Sequence, residues 1–172
     1  MIPLVHDFEG ERVLVFGGGS VGARKARVFA TEASVFVVSP RFDAASYGDA
    51  ELVRAEPTPE EVTEWFSRVE PALVVAATDD PALNERIETE ALARGLLCNR
   101  ADRSGSRDSS SVVVPATARD GPVVVSVSTG ATTPALSRYL RAEIEAVLDG
   151  AGAMAELTAD LREELADRDA ES

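Results

Sequence analysis

Three glycines, Gly17, Gly19 and Gly22, follow the apolar run Val13–Phe16 in the stretch RVLVFGGGSVGARKA, with G-x-G-x-x-G spacing. Behind a strand and ahead of a helix, each has a separate task. The first permits a tight turn, the second lets a pyrophosphate approach the backbone, and the third allows close helix–strand packing, while the helix N-terminus offers amide donors and positive potential. That is the chemistry of dinucleotide binding. The same glycines also suit a purely structural strand-to-helix corner, and the motif is silent on any reaction. One part of the fingerprint is missing: the second strand should close on Asp or Glu to hold the ribose hydroxyls, yet it reads VVSPR. Ser39 could hydrogen-bond a ribose, Arg41 could favour a 2′-phosphate, and Asp43 lies close by at a looser spacing, so the residues leave NAD and NADP both open.

These groups need a frame, and the hydrophobic pattern supplies one. Val13–Phe16, Ser34–Val38, a weak Leu52–Val53, Leu73–Ala77 and Leu96–Asn99 read as five strands. Unbroken apolar strands separated by helices predict a parallel sheet covered on both faces. Gly22, Ala26, Phe29, Ala30 and Ala33 form one small-residue helical face. Thr58, Pro59 and Glu61 make a capping box with proline at the first helical position. Asp80 caps a helix that starts at Pro81, lines Leu83, Ile87, Ala91 and Leu92 along one face, and stops at Gly95. The expected fold is α/β, a Rossmann-like doubly wound parallel sheet followed by a small α+β dimerisation region and C-terminal helices.

After residue 99 the pattern changes. RADRSGSRDSS reads as a loop, and Val112–Val114 and Val123–Val127 read as a strand pair joined through PATARDGP. Thr133 caps a helix starting at Pro134, with Leu136, Leu140, Ile144, Val147 and Leu148 on one face. A second amphipathic segment places Met154, Leu157, Leu161 and Leu165 on a stripe, before a frayed tail. The expected divisions are 1–110 for the nucleotide domain, 111–149 for a dimerisation and substrate region, and 150–172 for a short helical segment.

Composition narrows the function. The 172 residues carry 30 acidic against 17 basic side chains, a net charge of −13, and Lys25 is the only lysine. That charge opposes binding to nucleic acid or to an anionic membrane. Acid-rich, lysine-poor surfaces resemble those of halophilic proteins, where salt screens the self-repulsion. A single cysteine, Cys98, excludes an internal disulfide and points to a cytoplasmic protein. The absence of an apolar run of about 18 residues argues against a membrane span, and the first ten residues do not read as a secretory signal. With one His (His6) and one Cys, no stable metal site is expected.

Several segments together resemble one family. GGGSVGARK is similar to the opening turn of the precorrin-2 dehydrogenases, the siroheme-synthase N-terminal module. VVSP, AATDDPALN, NRAD, SSSVVVPA and STGATTPALSRYLRAEIE resemble its later motifs in order and spacing. The resemblance implies NAD-dependent oxidation of precorrin-2 to sirohydrochlorin on the route to siroheme or related tetrapyrroles. Some relatives also insert ferrous iron. It implies a homodimer, and it assigns roles. Asp102 takes the place of the essential aspartate, a candidate for removing a proton from the macrocycle. Gly17, Gly18, Gly19, Ser20, Val21, Ser39 and Pro40 would contact the cofactor, with Thr78 and Asp79 near the nicotinamide. Ser128, Thr129, Gly130, Thr132 and Arg138 would meet the substrate, and Thr129 stands where some relatives are phosphorylated.

The chemistry also makes sense from the residues. Aromatising such a macrocycle removes a hydride, which NAD accepts, and a proton, which a carboxylate takes. Asp102 falls just beyond the fifth strand, at the sheet edge where open α/β folds bind ligands. Precorrin-2 carries eight carboxylates, so an acidic protein needs local arginines to hold it: Arg103, Arg107, Arg138 and Arg141 are candidates. Two departures stand out. The loop from Asp102 to Pro115 is longer than usual, which makes Asp108 a competitor for the catalytic role, and the C-terminal part is short, which weakens the case for chelation. The competing expectation is a nucleotide-sensing regulatory module without catalysis.

Overall fold

The computed structural model describes residues 3–102, 111–130 and 133–170 and divides into two compact units, residues 1–113 and 114–172. In the first unit five parallel strands form one sheet in the order β3-β2-β1-β4-β5: β1 (Arg12–Phe16), β2 (Ser34–Ser39), β3 (Glu51–Arg54), β4 (Leu73–Ala76) and β5 (Leu97–Arg100). The chain builds outward from β1 to β3, then crosses back to place β4 on the other side of β1. The switch point therefore lies between the carboxyl ends of β1 and β4, where doubly wound sheets bind their ligands.

Side chains alternate along each strand, so β1 feeds two cores. Leu14 and Phe16 join Val38, Val74, Ala76 and Cys98 on the face covered by α2 (Val62–Val69) and α3 (Pro81–Ala93). Phe66, Val62, Leu83, Ile87 and Ala91 complete that cluster. Val13 and Val15 point the other way, toward α1 (Ser20–Phe29), which buries Gly22, Ala23, Ala26 and Phe29. Gly22 is needed there because a Cβ would collide with the carbonyl oxygen of Gly17 and also lie 3.6 Å from the Val15 side chain.

The helix ends follow local chemistry. Thr58 and Glu61 form the expected capping box over a short 3-10 turn, Pro59–Glu61, that leads into α2. The Asp80 carboxylate accepts bonds from the amides of Ala82 (2.8 Å) and Leu83 (3.3 Å), and Gly95 follows α3 at φ +68°. The buried face of α3 differs from the expected one. It contains Leu83, Asn84, Ile87, Glu88 and Ala91, while Leu92 is 36% exposed. Two polar residues are buried because they serve the sheet edge described below.

The second unit pairs β6 (Ala116–Asp120) with β7 (Val123–Val127) in an antiparallel hairpin. This corrects the expected strand pair: Val112–Val114 is not a strand. Residues 111 and 112 are instead tied to β5, through a single bridge from Ser111 to Cys98 and a bond from the Val112 amide to the Cys98 carbonyl (2.8 Å). The hairpin turn is only Gly121-Pro122, with Gly121 at φ +52°, and a glycine of positive φ at that place matches the twist of the strands. α4 (Pro134–Leu148) packs on this hairpin, and α5 (Ala151–Ala170) starts where the Asp120 carboxylate accepts a bond from the Gly152 amide (2.9 Å). Of the expected α4 stripe, Leu148 is buried and Leu140 and Ile144 are half-buried, while Leu136 and Val147 are exposed. On α5, Met154, Leu157, Leu161 and Leu165 are all at least half exposed.

Candidate functional site

Gly17 sits directly behind β1 at φ +114°, and a Cβ there would collide with the carbonyl of Ala77, which follows β4. The two strand ends thus approach too closely for any side chain. Gly18 is packed as tightly, since a Cβ would strike the Arg41 carbonyl and the Ser39 side chain. Gly19 is different. It is the N-cap of α1, has no side chain to satisfy the first-turn amides, and a Cβ built on it meets nothing within 4 Å. The first two glycines serve the fold, and the third leaves the helix N-terminus open. An open amide-lined hollow is what a diphosphate requires, so these residues fit a dinucleotide. Ser20 is exposed and Val21 half-buried at the same helix start.

Beside this turn, residues 39–47 fold back onto Gly18. Its carbonyl accepts a bond from the Asp43 amide (3.1 Å) and another from the Tyr47 hydroxyl. Ser39 is buried, with its hydroxyl accepting from the Arg41 amide (3.4 Å), while Pro40, Arg41 and Asp43 are exposed. Ser39 therefore shapes the turn, and the exposed groups beside it are Arg41 and Asp43.

At the end of β4, Thr78 is held by Asn84 of α3. The Asn84 Oδ1 accepts from the Thr78 amide (3.2 Å) and hydroxyl (2.7 Å), and its Nδ2 donates to the Thr78 carbonyl (3.0 Å). Asp79 next to it is exposed. Asn84 is 1% exposed, and its amide is among the groups that hold the Asp102 pKa down, so α3 serves the ends of both β4 and β5.

Asp102 lies two residues beyond β5, after the Ala101 amide has extended the ladder to Ala76 (2.9 Å). Both its oxygens are held by one guanidinium: Arg100 Nε donates to Oδ1 (2.8 Å) and Nη2 to Oδ2 (2.6 Å). The Nη1 of Arg100 donates to Glu88 of α3 (2.8 Å). The Arg100 side chain is only 4% exposed, against 28% for Asp102. The hydrogen bond from Arg100 lowers the Asp102 pKa, so the carboxyl is an ionised acceptor near neutrality. Neighbouring Cys98 is pushed up to about 12 by burial, which leaves its thiol protonated. Asn99 donates through Nδ2 to the Val112 carbonyl (2.7 Å), and its buried Oδ1 has no partner among the described residues.

Sequence reasoning missed Asn84, Glu88 and Arg100. Asn84 and Glu88 are four apart on α3, hence on one face, and Arg100 stands inside NRAD. All three were legible as positions, but the sequence carries no sign that Asn84 meets Thr78 or that Glu88 meets Arg100. In the second unit, Ser128, Thr129 and Gly130 lie between β7 and α4, with Gly130 at φ +64°. The Thr129 hydroxyl donates to the Thr133 carbonyl (3.2 Å) and shares a bond with Ser137 (2.8 Å). Arg138 is exposed on α4, whereas Arg141 is paired with Glu145 on the same helix. Thr132, Arg103, Arg107 and Asp108 lie outside the described residues. Among the described residues no group of three His, Cys, Asp or Glu side chains could hold a metal ion, and no helix is long and apolar enough to cross a membrane.

A doubly wound sheet with an open glycine cradle at its switch point defines a nicotinamide-dinucleotide-binding protein of the Rossmann class, and comparison with known proteins agrees. A family model described as NAD(P)-binding matches residues 4–116. The chain is 34% identical over 153 residues to the precorrin-2 dehydrogenase of Methanosarcina barkeri, covering 86% of this chain and 66% of that protein. It is 36% identical over 169 residues to the siroheme synthase of Pseudomonas entomophila, covering 95% of this chain but 35% of that one. Among solved structures, SirC, a precorrin-2 dehydrogenase, shares the fold with a TM-score of 0.66 at 24% identity, covering 95% of this chain and 78% of its own. The chain belongs to the NAD(P)-binding family of precorrin-2 dehydrogenases and siroheme synthases. It spans about a third of the length of the siroheme synthases it matches.

Proposed function

We propose that this chain is an NAD-dependent precorrin-2 dehydrogenase that forms sirohydrochlorin and acts as a cytoplasmic homodimer. The observation that carries the reading is the ionised, immobilised carboxylate of Asp102 at the same sheet edge as the open cradle at Gly19. A dinucleotide lies along the carboxyl edge of such a sheet. The backbone of Gly17, Gly18, Gly19, Ser20 and Val21 takes the diphosphate. The turn at Ser39 and Pro40 borders the adenosine, with the exposed Asp43 close enough in the chain to favour free ribose hydroxyls and hence NAD. Thr78 and Asp79 border the nicotinamide.

When bound, the cofactor supplies the oxidant and accepts one hydride from the macrocycle. Asp102 accepts the accompanying proton, so the two hydrogens lost by the substrate are both accounted for. Ser128, Thr129, Gly130, Thr132 and the exposed Arg138 contact the substrate's carboxylates. The exposed apolar residues of α4 and α5, including Tyr139, Leu157 and Leu161, support the homodimer as the surface a second copy covers.

The test supplies anaerobic precorrin-2 with NAD or NADP and follows sirohydrochlorin absorption. The expected result is turnover with a higher kcat/KM for NAD, and a loss of about 10²-fold or more in Asp102→Asn. No turnover with either nucleotide, in low or high salt, removes the enzyme reading. Ferrous iron added to sirohydrochlorin tests chelation separately. In sedimentation, the parent chain should run as a dimer and Leu157→Glu/Leu161→Glu as a monomer.

A further inference from the structure

We propose that Arg100 is the positioning residue for the proton acceptor of this reaction, and that Glu88 beneath it tempers its pull, so that Glu88, Arg100 and Asp102 act as one unit. The proposal rests on the reading of Asp102 given above and goes beyond it, because it concerns two residues that never meet the substrate.

The geometry is that of a clamp. Arg100 is the last residue of β5, its side chain is 4% exposed, and its planar fork meets both Asp102 oxygens at 2.8 and 2.6 Å. A bidentate guanidinium fixes the plane of a carboxylate, whereas a lysine would fix only a distance. Arg100 occupies one lone pair on each oxygen, and the carboxylate side chain remains 28% exposed to receive a substrate proton. The clamp is anchored in turn: Glu88, with its side chain 11% exposed, takes the remaining terminal nitrogen at 2.8 Å. Both carboxylates share one guanidinium, which keeps the buried arginine charged and favours the anionic form of Asp102.

The two partners act in opposite directions on Asp102. The guanidinium stabilises the charged carboxylate and weakens it as a base. Glu88 shares that guanidinium and adds negative charge, which restores basicity. The other groups facing Asp102 among the described residues are Asn84 on α3, a neutral amide, and Cys98 on β5, whose thiol remains protonated. Neither reverses the balance.

The experiment measures kcat/KM for precorrin-2 against pH, and the Asp102 carboxyl titration by carbon NMR, in full-length variants. Removing Glu88 alone (Glu88→Gln) should move the Asp102 titration and the acid limb of the profile down. Removing the whole ion pair with apolar residues of similar size (Arg100→Met/Glu88→Met), which avoids an uncompensated buried charge, should move both up by about one pH unit or more. Arg100→Lys should fall between the parent and that double variant. Retained NADH fluorescence and a cooperative thermal transition show that each variant is folded.

Titrations and profiles that superimpose on the parent in the folded double variant overturn the proposal. An Asp102 titration that shifts as expected, together with a wild-type rate in Asp102→Asn, removes the proton-acceptor role instead and leaves the clamp without a reaction. The two failures are therefore distinguishable.

Discussion

An alanine at position 18 and one at position 19 add the same methyl group to neighbouring residues, with different consequences. At Gly18 the methyl meets the Arg41 carbonyl and the Ser39 side chain, and the backbone must shift. Gly18→Ala should cost about 1–3 kcal/mol, seen as a lower urea midpoint. At Gly19 the methyl meets no protein atom, and φ of −77° suits alanine. Gly19→Ala should leave stability within about 1 kcal/mol of the parent yet raise the NADH dissociation constant about tenfold or more, equivalent to about 1.4 kcal/mol. Fluorescence titration with NADH checks this, and unchanged affinity would detach the diphosphate from that hollow. Lys25 offers a pH test. Burial, with Arg24 nearby, lowers its pKa to about 8, while the unfolded chain keeps that proton to about 10.4. The unfolded state binds more protons between those values, so this group adds stability as pH rises through the window and loses it as pH falls through about 8. Lys25→Met should therefore be more stable than the parent at pH 7, with the gap closing by about pH 10.4. Urea midpoints at both pH values decide it.

At the scale of elements, α3 organises most of the candidate site. Asp80 caps it, Asn84 holds the Thr78 turn, and Glu88 anchors Arg100. Asp80→Ala should cost about 1 kcal/mol and lower the thermal midpoint by about 2–4 °C, while Asp80→Asn, which keeps an acceptor, should recover most of it. Thermal denaturation followed by circular dichroism distinguishes the two. The capped helices were legible because caps are local: Thr58 with Glu61, Asp80 with Pro81, and Gly95 are each read within one turn of chain. The strand pair differs from expectation for the opposite reason. A valine run suggests a strand at Val112–Val114, but pairing is decided by the turn, and Gly121 at the first of the two turn positions is the stronger signal. The burial of Asn84 and Glu88 was hidden as well, because their hydrogen-bond partners lie 6 and 12 residues away, at the ends of two strands.

For the whole chain, charge is the dominant global property. With 30 acidic side chains against 17 basic, self-repulsion opposes compaction at low ionic strength, and screening relieves it within a Debye length of about 10 Å at 0.1 M salt. The thermal midpoint should rise by several degrees between about 0.05 M and about 1 M KCl. A midpoint that is flat or falls with salt would show that the acidic surface carries no repulsive penalty.

What the sequence determined by itself is what depends on short-range chemistry and periodicity. The five strands and their parallel grammar, the glycine turn, the helix caps and the family all follow from residues close together in the chain. The structure decided which residues at the strand ends meet. It separated Gly19, which leaves the cradle open, from Gly17 and Gly18, which pack against the Ala77 and Arg41 carbonyls. It turned Ser39 inward and tied Thr78 to Asn84. It also closed Arg100 around Asp102 over Glu88. Such meetings depend on strand order and on the packing of α3 against β4 and β5, and neither is encoded in any local pattern.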